Sequence, residues 1–165
     1  MANVLIVGFG SRLRSDDGLG FRAAEELSRS MPDSGNEIRA CHQLTPELAE
    51  SISHAETVLF IDASRVGRPG EIRCVQVNPC HPDSPFAHQL TPETLLFLCR
   101  DLYGVCPKAF TLSLCGENFG LGDELSSKVA AALPDLMEYA KSFLAGLRGL
   151  GPVDSEATLS PFTSK

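Results

Sequence analysis

Acidic and imidazole side chains occur in this chain where they could bind a metal ion. Asp16 and Asp17 follow a glycine-rich turn after one apolar segment, and Asp62 follows a second apolar segment, TVLFI. Asp17, Asp62 and His88 together would offer two carboxylates and one imidazole to zinc, nickel, manganese or iron(II). Three protein ligands would leave a coordination position open for a substrate or a water molecule. Sequence spacing does not by itself bring these three residues together, so this metal site is a hypothesis.

The hexapeptide HQLTPE occurs twice, at 42–47 and 88–93. In each copy the threonine can cap a helix, the proline suits the first helical position, and the glutamate lies in the positive end of the helix dipole. Each copy therefore places a histidine just before a predicted helix. Helix capping explains Gln-Leu-Thr-Pro-Glu but does not require the histidine, so His42 and His88 are candidate functional residues.

Each acidic residue also has a purely structural explanation. Aspartates in the first turn of a helix complement its dipole and accept hydrogen bonds from its free N–H groups. Asp62 could fix a turn by bonding the backbone after it. Arg12 and Arg14 could be solvated loop residues or could contact an acidic peptide. For Asp16 and Asp17 both explanations can hold, because adjacent side chains face different directions and only one must cap.

The elements that would position these residues alternate between strand and helix. Apolar runs and turn residues predict strands at 3–8, 37–41, 57–61, 71–77 and 109–115, and helices at 19–31, 44–52, 91–102 and 124–147. This alternation predicts an α/β fold, a three-layer sandwich with a mainly parallel, twisted sheet of about five strands and helices on both faces. Ligands of such folds bind beyond the carboxyl ends of the strands, which is where Asp62 is expected.

Length and composition limit the classes of function. The 165 residues suit one domain, predicted over 1–148, with a tail at 149–165 that is rich in Gly, Pro, Ser and Thr and is expected to be disordered. A formal net charge of −7 argues against a nucleic-acid partner. No apolar stretch approaches the roughly 20 residues of a membrane span, and no basic flank precedes the apolar start. Neither a membrane partner nor a cleaved signal peptide is therefore expected.

The cysteine pattern and several missing motifs narrow the chemistry further. The six cysteines form no CxxC pair and are expected to be reduced thiols in the cytoplasm, with Cys99, Cys106 and Cys115 buried. Leu13 occupies the third glycine position of a dinucleotide-binding fingerprint, and the P-loop is absent. The GxSxG nucleophile elbow and the HExxH metal motif are absent too. Nucleotide binding and serine-hydrolase chemistry are therefore not expected.

Several segments resemble the hydrogenase maturation proteases, the endopeptidases that trim the large subunit of nickel–iron hydrogenases. The segment VLIVGFGSRLRSDDGLGFRAAEEL is similar to their glycine turn, acidic pair and Gly-x-Gly helix start. The segments VLFIDASRVGRPG, PFAHQLTPETLL and CGENFGLGDELS follow in the family's order. Because the resemblance extends over residues 3–147, it is more specific than any single motif.

The resemblance implies an endopeptidase that removes the C-terminal extension of a nickel-loaded hydrogenase large-subunit precursor. It also implies that Asp17, Asp62 and His88 are the metal-contacting and catalytic residues. Nickel would belong to the substrate, so no permanent cofactor is expected, and the protein is expected to be a cytoplasmic monomer. Ser11 departs from the family's Asn. Cys41-His42-Gln43 replaces an acidic, glycine-rich loop, which makes His42 a candidate substrate-binding residue.

Two other functions would use Asp17, Asp62 and His88 in the same way. One is a non-catalytic binding or chaperone module that senses metal in a metalloenzyme precursor. The other is a zinc metallohydrolase that acts on small substrates. Metal at the site would not separate these alternatives from the protease, whereas proteolysis of a partner would.

Overall fold

The computed structural model describes residues 3–83 and 89–149. Its strands are β1 (Val4–Phe9), β2 (Glu37–Cys41), β3 (Thr57–Ser64), β4 (Ile72–Val77) and β5 (Lys108–Cys115). Its helices are α1 (Leu19–Ser30), α2 (Leu48–Ser53), α3 (Pro92–Tyr103) and α4 (Ser127–Gly149), and a short 3₁₀ helix at Ser15–Gly18 precedes α1. The tail predicted to be disordered lies, from residue 150 onward, outside the described residues.

The strands form one sheet in the order β2-β1-β3-β5-β4. β1 pairs in parallel with β2 and β3, and β3 pairs in parallel with β5. β4 closes one edge as the antiparallel partner of β5. The carboxyl ends of the four parallel strands therefore lie along the same edge of the sheet. The predicted α/β class with a mainly parallel sheet of five strands is confirmed.

Apolar side chains cover both faces of the sheet. In β1, Val4 and Ile6 belong to a core cluster that includes residues of α1 and α4, whereas Leu5 and Val7 belong to a second cluster with residues of α2 and α3. Successive side chains of a strand point to opposite faces, and a central parallel strand is buried on both. This explains why β1 is continuously apolar and gives the predicted three layers.

A close backbone contact fixes the start of α1 at the carboxyl edge of the sheet. A Cβ atom on Gly20 would lie 2.2 Å from the carbonyl oxygen of Ile61 and 2.5 Å from that of Phe9. Gly10, with φ of 144°, allows a second approach, since a Cβ there would lie 1.8 Å from the Asp17 carbonyl oxygen. Glycine alone permits both contacts. They hold Asp17 beside the ends of β1 and β3.

Two predicted boundaries are wrong near the candidate residues. β3 extends to Ser64 rather than stopping at Ile61, so Asp62 lies inside a strand, where it is paired in register with Ser113 of β5. The polar end of β3 lacks the apolar sequence pattern that predicts a strand. These residues belong to the strand because they pair with β5. α2 begins at Leu48 rather than at residue 44.

The two HQLTPE copies differ in how they begin a helix. In the second copy the Thr91 side chain accepts a hydrogen bond from the Thr94 N–H, and the Thr94 hydroxyl accepts one from the Thr91 N–H. In the first copy, the predicted cap at Thr45 is wrong, because α2 starts after a turn and no side chain of the described residues caps it. The residue three positions after Thr45 is Leu48, whose side chain cannot accept a backbone hydrogen bond as the Thr94 hydroxyl does in the second copy.

The repeat provides an internally controlled test of capping. Thr91→Ala should lower the free energy of unfolding by about 1 kcal/mol, because it removes a helix cap. Thr45→Ala should cost less than about half of that value, since Thr45 caps no helix. Urea denaturation of both variants measures the difference, and equal losses would contradict the assignment.

The cysteines and the helices also test expectations from composition. All six cysteines lie within the described residues and are free thiols. Cys99 and Cys115 are buried as predicted, but Cys106 is exposed, because it lies in the loop between α3 and β5. Of the helices that the structure describes, none combines the length and apolar character needed to cross a membrane.

Candidate active site

A cavity of about 510 Å³ opens at the carboxyl ends of β1 and β3. Asp17, Asp62 and His42 line it. Both hexapeptide copies also contribute to its wall, the first through residues 42–46 and the second through Gln89 and Leu90. The fold thus brings together the two separate aspartates that the sequence singled out, and it places them beside the repeat.

Asp16 and Asp17 have different roles. Asp16 is fully buried, and its carboxylate accepts hydrogen bonds from the N–H groups of Glu117 (2.8 Å), Asn118 (2.8 Å) and Ser126 (2.7 Å) and from the Ser126 hydroxyl (2.8 Å). Burial raises the pKa of Asp16, but these hydrogen bonds outweigh it and lower the pKa below its usual 3.8. Asp16 therefore anchors the loop at residues 116–126 rather than capping α1.

Asp17 faces the cavity. Its Oδ2 accepts a hydrogen bond of 2.8 Å from the Ser11 N–H, which fixes the carboxylate against the turn after β1. Because this donor is a backbone group, the bond does not depend on the side chain at position 11. Ser11, which stands where the sequence resemblance leads one to expect Asn, therefore leaves this contact intact.

Asp62 carries the most perturbed carboxyl group in the cavity. Its Oδ1 atom is buried and, in the part of the chain that the structure describes, has no hydrogen-bond partner. Burial, followed by the nearby charges of Glu93 and Asp17, raises the pKa of Asp62 to about 7. A position inside β3 is incompatible with a turn-forming role for Asp62. A bound cation or a proton would relieve the unfavourable burial of this carboxylate.

His42 lies at the rim of the cavity and is held in a row of planar groups. Its ring stacks on Phe21 of α1, with the centroids 4.9 Å apart and the planes inclined by 16°. The guanidinium of Arg12 lies 5.3 Å from the Phe21 centroid. This row joins the end of β2, α1 and the loop after β1. Arg12 therefore makes a specific contact instead of being an entirely solvated loop residue.

The third predicted metal ligand, His88, lies outside the described residues. The residues that follow it, Gln89 and Leu90, line the cavity. Within residues 3–83 and 89–149, no three or more His, Cys, Asp or Glu side chains are grouped so that they could hold a metal ion. The three-residue metal site therefore stays a prediction, of which the structure describes Asp17 and Asp62.

Some residues that shape the site are not among the candidate functional residues from the sequence. The sequence predicts Glu93 only at a helix start, yet its charge helps to raise the pKa of Asp62. Ser126 and Asn118 bind Asp16 across 110 and 102 positions of the chain, respectively. No local pattern reports such a contact. Both residues lie in CGENFGLGDELS, one of the segments that carry the resemblance to the maturation proteases, and this resemblance is the signal that could have found them.

Fold and cavity define a doubly wound α/β protein with paired carboxylates at the carboxyl edge of its sheet. Its fold is that of the hydrogenase maturation proteases, which confirms the resemblance found in the sequence. Similar structures are the maturating endopeptidase HybD from E. coli (TM-score 0.72, 22% identity, 89% of this chain and 94% of that one) and the [NiFe] hydrogenase maturation protease HycI from Thermococcus kodakarensis KOD1 (0.71, 21%, 88% and 94%).

A third similar structure is the hydrogenase 2 maturation peptidase from a Thaumarchaeota archaeon, with a TM-score of 0.65 and 25% identity over 87% of this chain and 98% of that one. No protein-family model matches the sequence, and no curated protein matches it either. The likeness is therefore carried by the three-dimensional fold over nearly the whole length of these proteases.

Proposed function

We propose that this protein is an endopeptidase that removes the C-terminal extension of a nickel-loaded hydrogenase large-subunit precursor. The observation that carries the proposal is that Asp17 and Asp62 line one cavity in the fold of the hydrogenase maturation proteases. The protein would act as a cytoplasmic monomer without a permanent cofactor, and its partner would be the precursor.

Nickel would reach the cavity as part of the substrate, where Asp17, Asp62 and His88 would contact it. The carboxylate groups of Asp17 and Asp62 could act as ligands of a divalent cation. Among the described residues, the buried Oδ1 atom of Asp62 has no hydrogen-bond partner, and the Oδ2 atom of Asp17 accepts a hydrogen bond from the Ser11 N–H. Carboxylate and imidazole groups are suitable ligands for nickel.

The residues of the chain would act mainly by positioning the precursor. Contacts from Asp17 and Asp62 to its metal would hold the scissile peptide bond in the cavity, which lowers the entropic cost of the reaction. Because Asp62 has a pKa of about 7, a cation binding there would also displace its proton. His42, at the rim, would contact the precursor chain on its way into the cavity.

Processing of a precursor tests this function directly. The protein is mixed with nickel-loaded or nickel-free precursor of its cognate hydrogenase large subunit, and the products are weighed by intact mass spectrometry. We expect loss of a C-terminal peptide from the loaded precursor only. Asp17→Asn should slow this cleavage by about 100-fold or more, because the precursor is no longer held correctly.

The control is Asp33→Asn, which changes an exposed aspartate between α1 and β2. This position lies at the amino ends of the parallel strands, on the side of the sheet away from the cavity. It should cleave at the unmutated rate. An unchanged mass for a properly loaded cognate precursor would overturn the protease function. Stable complex formation without cleavage would then favour the metal-sensing binding module.

A further inference from the structure

The most exposed large apolar side chains of the described chain all lie beyond the carboxyl ends of the parallel strands. Leu121 is 92% exposed, and Leu13 and Val66 are each 69% exposed, whereas the other exposed large apolar side chains reach at most 60%. Leu13 lies in the loop after β1, Val66 in the loop after β3 and Leu121 in the loop after β5. Single exposed apolar residues are ordinary, but their concentration on three neighbouring loops indicates an interaction surface.

Backbone hydrogen bonds and one cation–π contact tie these three loops to one another. The Gly122 N–H donates to the Leu13 carbonyl at 3.0 Å, and the Ser15 N–H donates to the Gly122 carbonyl at 2.8 Å. The Gly116 N–H donates to the carbonyl of Ser64, the last residue of β3, at 2.9 Å. The guanidinium of Arg65, in the loop after β3, lies 4.0 Å from the ring centroid of Phe119, in the loop after β5, and this contact joins the two loops. Loops held in this way lose little conformational entropy when a partner binds.

Arginines flank two of the three apolar side chains. Arg12 and Arg14 stand on either side of Leu13, while Arg65 precedes Val66 and Arg68 follows it. Residues 10–15 and 63–70 contain no acidic residue, in a chain of net charge −7. Among the described residues, none of these four arginines forms a salt bridge.

The charge pattern also has an acidic side. Asp123 and Glu124 follow Leu121 along the chain and lead toward α4. The positive charge is therefore concentrated around Leu13 and Val66. Because opposite charges guide association, the partner should present carboxylates around an apolar patch at this part of the surface.

We propose that Leu13, Val66 and Leu121, with the flanking arginines, form a docking surface for the folded body of the precursor. The matching face of the precursor would be an apolar patch rimmed by carboxylates. The identity of this partner rests on the proposed function. Since the docking surface and the cavity share one edge of the sheet, a docked precursor presents its C-terminal segment to Asp17 and Asp62.

Paired serine variants test the docking surface. Leu121→Ser is compared with Leu102→Ser, which changes a side chain 60% exposed near the end of α3, away from this edge. Biolayer interferometry measures the Kd for the nickel-loaded precursor, and intact mass spectrometry measures the kcat and KM of its cleavage. Leu121→Ser should raise Kd and KM about tenfold with kcat unchanged, whereas Leu102→Ser should change neither constant by more than about twofold.

A charge-reversed variant tests the arginines. The double change Arg14→Glu with Arg65→Glu should weaken binding and reduce its dependence on salt concentration, because the attraction to carboxylates is removed. Leu13→Ser provides a second apolar variant in a different loop.

The possible outcomes separate the docking surface from the proposed function. If the unmutated protein cleaves the precursor and both Leu121→Ser and Leu13→Ser match its Kd and KM, the docking surface is wrong and the protease function stands. If binding depends on Leu121 but no cleavage occurs, the docking surface is supported and the protease function is overturned. Absence of both binding and cleavage would overturn both.

Discussion

Replacing Asp16 with alanine should destabilise the protein by about 3–5 kcal/mol, because it leaves several buried donors without their acceptor. Three backbone N–H groups and the Ser126 hydroxyl all bond to this one carboxylate. The loop at residues 116–126 would lose its main attachment to the start of α1. Faster hydrogen exchange at Glu117, Asn118 and Ser126 should accompany the loss of stability.

The neighbouring aspartate is the matched control for this prediction. Asp17 accepts one described hydrogen bond, from the Ser11 N–H, so Asp17→Ala should cost about 1 kcal/mol or less. Urea denaturation at neutral pH measures the stability of both variants. If Asp16→Ala does not fold, Asp16→Asn takes its place, because its amide retains one oxygen acceptor. Comparable losses for Asp16→Ala and Asp17→Ala would contradict the division of roles between the two aspartates.

The contribution of Asp16 should also depend on pH. Folding lowers the pKa of this carboxyl below 3.8, so the folded state favours the charged form. The resulting stabilisation is fully present above the unfolded-state pKa and is lost as the pH falls through the folded-state pKa. The stability difference between the unmutated protein and Asp16→Asn should therefore shrink in strong acid.

Replacing Asp62 with asparagine should have the opposite effect and stabilise the protein at pH 8 by about 2–4 kcal/mol. Folding raises the pKa of Asp62 from 3.8 to about 7, so the folded state favours the protonated form. As the pH rises from about 4 to about 7, the unfolded state releases the proton of Asp62 while the folded state still keeps it. The free energy of unfolding therefore falls over this range. Asparagine carries no charge and avoids this loss.

The pH dependence of the gain separates this cause from a general packing effect. Thermal and urea unfolding at pH 8 and pH 5 should show a smaller gain for Asp62→Asn at pH 5, since Asp62 then costs less. Asp33→Asn, at an exposed position, should change stability little at either pH. A gain of equal size at both pH values, or a loss at pH 8, would contradict the prediction.

The activity of Asp62→Asn should decrease while its stability increases. Under the proposed function the carboxylate contacts the metal of the precursor, and a neutral amide is a weaker ligand for a divalent cation. Functional sites often retain groups that cost folding stability. A more stable protein that no longer cleaves the loaded precursor would therefore support a functional role for Asp62.

The fold class and two of the residues that line the cavity, Asp17 and Asp62, were predictable from the sequence. Apolar runs and turn residues predicted the five strands and four helices, because these patterns reflect local burial and backbone preference. The rule that ligands bind at the carboxyl ends of parallel strands placed Asp62 at the cavity. The residues alone make Asp17 a candidate metal ligand, and the similarity of its segment to the maturation proteases implies the same residue.

Only the tertiary structure shows that Asp16 anchors a loop, whereas Asp17, the aspartate chosen from the sequence, lines the cavity. The hydrogen bonds that distinguish Asp16 from Asp17 come from residues 101–110 positions away in the chain. Local sequence patterns do not predict contacts between residues so far apart. Pairing with β5 likewise extended β3 past Asp62. Stacking between Phe21 and His42 depends on how α1 packs beside the end of β2. Local propensity sets the elements, whereas packing between distant segments sets the environment and charge of each carboxyl group.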